Sequence, residues 1–348
     1  MFFLSLLLLI VIALASSTSA RPASLSSGSS QWPLNKQGLQ EPSHDTPRPL
    51  VIWHGLGHTA TSEGISGLVT DIKEMYPGIY VHSVQVPSAG SIDDERKAGF
   101  YGNASSQVDI VAETLREVPE LTGGFDAIGF SQGGLFMRDY VQRYNHPPVR
   151  NLLTFGSPHM GVARLIPCRS SFDLVCIIAK RTAERGVYTE WAQNNLIQAS
   201  YFRDHDRLDV FHEMNNIHAL ALARTSRYLT RLNGELEAQP LAADNIGNLS
   251  NFVMVNFEQD QTIYPKDSST FGSLTPTRIN TTNPLIPLVD NTFLWKHDHI
   301  GLKRLAEKKA LHYGTAEESC PGAHMDLEWE NESGCGRRLV QKWIGSSL

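Results

Sequence analysis

The chain has 348 residues, 41% of them hydrophobic and 19% charged, enough apolar material for one large α/β domain or two smaller ones. Its formal net charge of −6 excludes the broad basic footprint of a general nucleic-acid binder, and no run of like charges forms an interaction tail.

The first 20 residues, MFFLSLLLLIVIALASSTSA, carry no charge, and their apolar block runs into small residues with Thr18 and Ala20 at the −3 and −1 positions of a cleavage site. A membrane anchor is the rival reading, but the block falls short of the roughly 20 apolar residues a span needs and lacks basic flanks. A signal peptide over 1–20 is therefore expected, followed by a flexible leader over 21–47 that is rich in Ser, Pro, Gly and Gln. No later stretch is long and apolar enough for stable membrane insertion. In an oxidising compartment the four cysteines read as two local pairs, Cys168 with Cys176 and Cys320 with Cys335, rather than as reduced core thiols. The Asn-x-Ser/Thr triplets at Asn103, Asn248, Asn280 and Asn331 are candidate glycosylation sites.

The folded part, residues 48–348, opens with PLVIWHG, a buried-strand pattern over Leu50 to Trp53 that ends in a glycine loop. Ile65, Leu68, Val69, Ile72 and Tyr76 follow at helical spacing, and IYVHSVQV (79–86) reads as the next strand. Ser105 or Ser106 is placed to cap a helix whose apolar face is Val108, Val111, Ala112, Leu115 and Val118. FDAIGF is a strand, Phe136, Met137, Tyr140, Val141 and Tyr144 form a helical stripe, and NLLTFGSP (151–158) is another strand. Such alternation predicts a mainly parallel sheet with helices on both faces. It stops over about 160–245, a stretch with amphipathic helical patterns that reads as a helical cap inserted over the sheet. Sheet-like sequence returns with NFVMVNFEQD (251–260), ALHYGTA is the last strand candidate, and HIGLKRLAEKKALH reads as a final helix.

Between FDAIGF and the helical stripe stands Gly129-Phe130-Ser131-Gln132-Gly133. A serine hydroxyl is a poor nucleophile until a base takes its proton, and it must project where a substrate can reach it. A sharp strand-to-helix turn does this, crowding the residues two before and two after so that glycine is favoured at both. G-x-S-x-G alone is a weak signal; the strand before and helix after strengthen it. The amide of Gln132 begins that helix and would face a developing oxyanion, and the amide of Leu56, in the loop His54-Gly55-Leu56-Gly57, would be the second donor. His54 then shapes the loop, since in this geometry the chain order is serine, acid, histidine. Asp260 follows a convincing strand and is the candidate acid, with Asp267 its main rival and Asp290 and Asp298 weaker ones. Of His297, His299, His312 and His324, the last lies in a glycine-containing loop after the last strand candidate and is the candidate base. A Cys320–Cys335 bridge would pin that loop, an effect worth on the order of 3 kcal/mol in the chain-entropy model.

From residue 48 to the end the chain resembles the palmitoyl-protein thioesterases, through WHGLG, FDAIGFSQGG, SSQV, SPHMGV, VYTEWAQNNLIQASYFRD and NFVMVNFEQDQTIYPKDSSTFG. The resemblance implies the α/β-hydrolase fold and removal of long-chain acyl groups from cysteine thioesters in the lysosome, vacuole or extracellular space. It places the nucleophile on Ser131, the acid on Asp260, the base on His324 and the oxyanion donors on Leu56 and Gln132. Cys168 and Cys176 also resemble a disulfide of that family. The chain departs from it in lacking paired cysteines after HGLGHT, in Tyr264 before a proline where relatives carry an acid, and in a longer TPTRINTTNPLIPLVDN. No cofactor or metal is expected, substrates are S-acylated proteins or peptides and acyl thioesters, and a monomer is expected. Trp53, Tyr188, Trp191 and Ile263 are candidates to line an acyl groove, with ordinary core packing the rival role for each. The triad chemistry also fits a secreted lipase or carboxylesterase acting on oxyesters. An inactive α/β-hydrolase serving as a binding module is the third reading, disfavoured because all three triad candidates stand in order.

Overall fold

Runs of Val, Ile, Leu and Phe without polar alternation need cover on both faces, and a central parallel sheet supplies it. The computed structural model describes residues 46–164, 186–203, 205, 226–275 and 281–345, all within one compact unit spanning Pro42–Leu348. The proposed signal peptide, the leader, Cys168, Cys176 and Asn280 lie outside the described residues. β1 (Leu50–Trp53), α1 (Glu63–Met75), β2 (Val81–Ser83), α2 (Ile92–Ala98), α3 (Ala104–Arg116), β3 (Phe125–Phe130), α4 (Gln132–Arg143) and β4 (Val149–Phe155) form the first half. After them come α5 (Glu190–Asn195), α6 (Ile197–Ser200), α7 (Arg227–Leu232), α8 (Pro240–Gly247) and β5 (Asn251–Phe257). A small antiparallel pair follows, β6 (Ser273–Leu274) with β7 (Leu285–Ile286), and then α9 (Leu302–Glu307), β8 (Leu311–Tyr313), β9 (Ser319–Cys320) and α10 (Cys335–Trp343).

The main sheet has the order β2-β1-β3-β4-β5-β8, with β9 also pairing β5, and every pairing in it is parallel. Along each strand successive side chains enter different cores. Val51, Trp53, Phe252 and Met254 pack with α3, α4 and α8, while Leu50, Ile52, Val253 and Val255 pack with Ile65, Leu68 and Ile72 of α1 and Leu339 and Val340 of α10. This is the α/β-hydrolase arrangement: a mostly parallel central sheet flanked by helices. The chain passes outward from β1 to β2 and then crosses back to β3 on the other side of β1. The carboxyl ends of β1 and β3 therefore flank the topological switch point, where open α/β sheets bind their ligands.

Four local expectations are corrected. The strand foreseen over 79–86 is confined to Val81–Ser83. Asn103, not Ser105 or Ser106, caps α3: its side-chain oxygen accepts the Ser106 amide at 3.1 Å, and an amide acceptor at that position does what a serine hydroxyl would do. The foreseen final helix stops at Glu307, because Lys309 turns left-handed (φ 59°), and His312 falls on β8 instead. The last helix among the described residues is α10, whose buried face is Cys335, Gly336, Leu339 and Val340.

Within the span read as a cap, α7 and the turn after it are joined to α4 by a buried cation. Arg138 is fully buried and donates to Gln142 Oε1 (3.0 Å), the carbonyls of Leu232 (3.3 Å) and His159 (3.2 Å), and Asn233 Oδ1 (2.9 Å). Burial pulls its guanidinium down to about 9, so it stays charged at neutral pH. Both Arg138 and His159 lie over the ring of Phe271. Burial, and secondarily the charge of Arg138, hold the His159 imidazole well below its usual range.

His159 therefore titrates lower in the folded chain than the 6.5 of an unfolded histidine. Its neutral form contributes fully above about pH 6.5, and stability drains as the pH falls below that, at up to about 1.4 kcal/mol per pH unit. In urea titrations at pH 7 and pH 5, His159→Gln should show a pH-dependent loss smaller than wild type by about 2 kcal/mol. Equal losses in both proteins would remove this assignment.

Candidate active site

The turn from β3 into α4 holds Ser131 at φ 49° and ψ −121°, a region L-residues avoid at a cost of about 1–3 kcal/mol. The Ser131 amide donates to Phe155 O on the neighbouring strand at 2.8 Å, which fixes the turn while its side chain faces the groove. The flanking glycines crowd each other as the sequence predicts, since a Cβ on Gly129 would sit 3.0 Å from the carbonyl carbon of Gly133, and each also meets other backbone. A Cβ on Gly133 would sit 2.2 Å from Trp53 O and 2.4 Å from His54 O, at the end of β1. One on Gly129 would sit 2.2 Å from the Cα of Gly134, and one on Gly134 would meet Ser157 Oγ at 2.0 Å. The turn therefore packs as bare backbone against β1, against itself and against the loop after β4. Gly134 was not anticipated, and its place beside the motif was the only available hint.

His324 stands across from this turn, with Nε2 3.1 Å from Ser131 Oγ and Nδ1 2.7 Å from Asp260 Oδ2. A carboxylate only accepts, so Nδ1 donates to Asp260, leaving Nε2 to accept the serine O–H. Asp260 is oriented in turn, its Oδ1 accepting the amides of Thr262 (2.8 Å) and Ile263 (2.9 Å), and its side chain is 1% exposed. Two segments far apart in sequence carry these groups, and backbone bonds zip them together. β9 pairs with the end of β5, the amides of Glu258 and Gln259 donate to Cys320 O (2.8 Å) and Gly322 O (3.1 Å), and Gln259 Nε2 donates to Pro321 O. The Cys320–Cys335 disulfide ties β9 to the first turn of α10. Gly156 (φ 53°) makes room for the imidazole, since a Cβ there would sit 2.9 Å from His324 Cε1.

The rival residues have other employment. Asp298 accepts the Lys303 and Arg304 amides at the start of α9, and Asp290 and Asp267 lie in short 3-10 turns. His299 donates through Nδ1 to Gly234 O and stacks with His297, and His312 contacts Asn251 and the Trp343 ring.

The loop with the Leu56 amide runs beside Ser131: a Cβ on Gly55 would touch Ser131 Cβ and Phe130 O at 3.2 Å. Gln132 presents its amide from the first turn of α4, and its side chain is clamped, donating to Gly99 O (3.1 Å) and accepting from Tyr201 Oη (2.9 Å). His54 shapes the loop through Glu95, a partner the sequence did not reveal.

Ser131 opens into a groove of about 1000 Å³. Its walls include Ile65 and Leu68 of α1, Met325, Leu327 and Trp329 after the histidine, and Ile263. Trp53 is not among them: it is 3% exposed and packs edge-on against Phe136 at 5.4 Å, because strand alternation turns it toward α4. Tyr188 lines a separate small cavity with Phe202, and Trp191 is 44% exposed on α5, away from the groove walls. Asn331 is exposed at the groove rim, Asn248 is exposed at the end of α8, and Asn103 is engaged as a helix cap. Among the described residues no cluster of side chains could hold a metal ion.

A family profile described as palmitoyl protein thioesterase matches residues 49–324. The chain is 34% identical over 280 residues to a Caenorhabditis elegans protein named palmitoyl-protein thioesterase 1, covering 80% of this chain and 87% of that one. It is 27% identical over 271 residues to a Drosophila melanogaster protein named lysosomal thioesterase PPT2 homolog, covering 76% of this chain and 82% of that one. Among solved structures, Paleococcus ferrophilus monoacylglycerol lipase is 16% identical, covers 87% of this chain and 96% of its own, and gives a TM-score of 0.43.

Two variants test the geometry. Gly133→Ala should lower the melting temperature and abolish labelling of Ser131 by a fluorophosphonate probe; normal labelling would contradict the packing of this turn. Replacing both Cys320 and Cys335 by serine opens a bridge spanning 15 residues and should cost about 3 kcal/mol in denaturant titrations. An unchanged unfolding midpoint would show that the loop needs no bridge.

Proposed function

The chain belongs to the palmitoyl protein thioesterase family, and on that premise we propose that Ser131, His324 and Asp260 are its catalytic triad, with the amides of Leu56 and Gln132 as oxyanion donors. The protein is a thioesterase hydrolase. The single observation that carries the residue assignment is the imidazole of His324 lying within hydrogen-bond reach of both Ser131 and Asp260.

In the proposed reaction Ser131 Oγ bonds to the acyl carbon of the thioester as its proton passes to His324 Nε2. Asp260 stabilises the imidazolium without taking the proton. The carbonyl oxygen becomes an oxyanion beside the two amides, which lie in a turn and a loop already fixed before substrate arrives. The C–S bond then breaks, the sulfur leaves as a thiol with the proton from His324, and the acyl group stays on serine. A thiol with pKa near ~8.5 leaves with less proton assistance than an alcohol does. Water gives a proton to His324 and attacks the acyl-serine, the fatty acid departs, and the proton returns to Ser131.

The substrates proposed are S-acylated proteins or peptides bearing long-chain acyl groups. The apolar groove walls support this, since each methylene withdrawn from water contributes about 0.8 kcal/mol. We place the protein in the secretory pathway and its lysosomal or vacuolar end. The apolar first 20 residues, the disulfide and the lysosomal description of the Drosophila relative support that placement.

Ser131→Ala should lower kcat/KM on a palmitoyl thioester by about 10⁴-fold or more, and retained turnover would end the proposal. In a series of acyl thioesters, kcat/KM should rise about fourfold per methylene until the groove is filled. A flat series, or an oxyester of equal chain length turned over faster, would redirect the proposal to an esterase.

A further inference from the structure

Glu95 lies among the charged residues of α2, with Asp93, Asp94, Arg96 and Lys97 exposed to solvent around it, yet it is 3% exposed. Its Oε1 accepts the Ala60 amide at 2.7 Å and lies 3.0 Å from His54 Nε2. His54 Nδ1 lies 3.0 Å from Gly55 O. One carboxylate oxygen thus grips the loop that contains Leu56 on both sides of that residue. The same short helix reaches the other proposed donor, because the carbonyl of Gly99, at its C-terminal end, accepts the side-chain amides of Gln132 and Gln198.

The two contacts of His54 require a definite number of protons. Gly55 O can only accept, so Nδ1 carries one. The contact between Nε2 and Glu95 Oε1 needs another, either on the ring, as imidazolium beside carboxylate, or on Glu95, as carboxylic acid beside imidazole. Either way the pair holds one proton more than a neutral histidine and an ionised glutamate. If that proton leaves, one contact loses its hydrogen and two lone pairs face each other.

We propose that Glu95 and His54 are a proton-sharing pair that positions the Leu56 amide, holding the oxyanion loop in acid and releasing it as pH rises. The inference rests on Leu56 being an oxyanion donor in the reaction proposed above. His58, on the same loop, lines the groove, and its imidazole is held low by burial and then by the charge of His54. His324 lies across the groove. The sign follows from the proton count: protonation favours the ordered loop, so turnover falls as rising pH removes the shared proton. His324 must be neutral to act as a base and sets the opposite limb, making the profile bell-shaped.

The test is the pH–rate profile of the full chain on a palmitoyl thioester, for wild type, Glu95→Gln and His54→Gln, with circular dichroism to establish folding. Glutamine at position 95 accepts from Ala60 but cannot hold the extra proton. Its kcat should fall about tenfold or more, KM should change by less than about twofold, and the alkaline limb should move down by about one pH unit, with the acid limb in place. His54→Gln removes the titrating ring, so that alkaline limb should disappear. An alkaline limb unchanged in Glu95→Gln, or in His54→Gln should the first variant fail to fold, overturns the inference. Ser131→Ala on the same substrate separates the two levels. If it is inert while Glu95→Gln behaves as wild type, only the positioning role fails; if it is active, the triad itself fails.

Discussion

Bare backbone against bare backbone is the contact on which this site depends. The start of α4 approaches the carbonyls that end β1 so closely that nothing larger than a hydrogen fits on Gly133. That approach brings the serine turn and the Leu56 loop side by side above adjacent parallel strands, which Ile52–Ile128 and Trp53–Gly129 pairing holds in register. The proposed nucleophile and the proposed second amide donor thus come from segments about 75 residues apart without either being built on a long loop. The strained φ of Ser131 is sustained by the same packing, with the Phe155 carbonyl holding the turn's amide from β4.

The proposed base and acid, His324 and Asp260, are brought together by a different device. β5 pairs with β8 along its first half and with β9 near its end, and the chain between these strands turns through Gly314 and a short 3-10 helix. This break lets the final segment leave the sheet and return at the level of Asp260, where backbone bonds register Glu258 and Gln259 against Cys320 and Gly322. The disulfide anchors the far side of the returning loop to α10. Two carriers that could drift independently are thereby made one body, which suits the proposed proton relay and its need for about 3 Å geometry.

Much of this was legible because the informative residues keep strict local company. An apolar strand, a serine between glycines and a helical stripe can be read from a dozen consecutive positions, and chain order then ranks the acids and histidines. Glu95 was illegible for the opposite reason: IDDERKA reads as a solvated run, and only the fold turns one of its charges inward. Trp53 was misread because LVIW is apolar at every position: period-two alternation puts Trp53 on the side of Val51, but only the fold shows that this side packs against α4. Asn103 displaced the two serines as a cap because three residues within four positions could all do the work and propensity does not choose among them.

The buried guanidinium of Arg138 bears on how this fold could change. Its partners come from α4 itself, from the loop after β4 and from the stretch just after α7, and they are neutral amides and carbonyls. Transplanting another hydrolase's insertion onto this sheet would leave a cation in a dry interior with half its acceptors gone, a deficit of several kcal/mol. The segment around α7 is thus tied to the scaffold by the solvation of one buried charge, and it would have to diverge residue by residue around that charge rather than by wholesale exchange of modules.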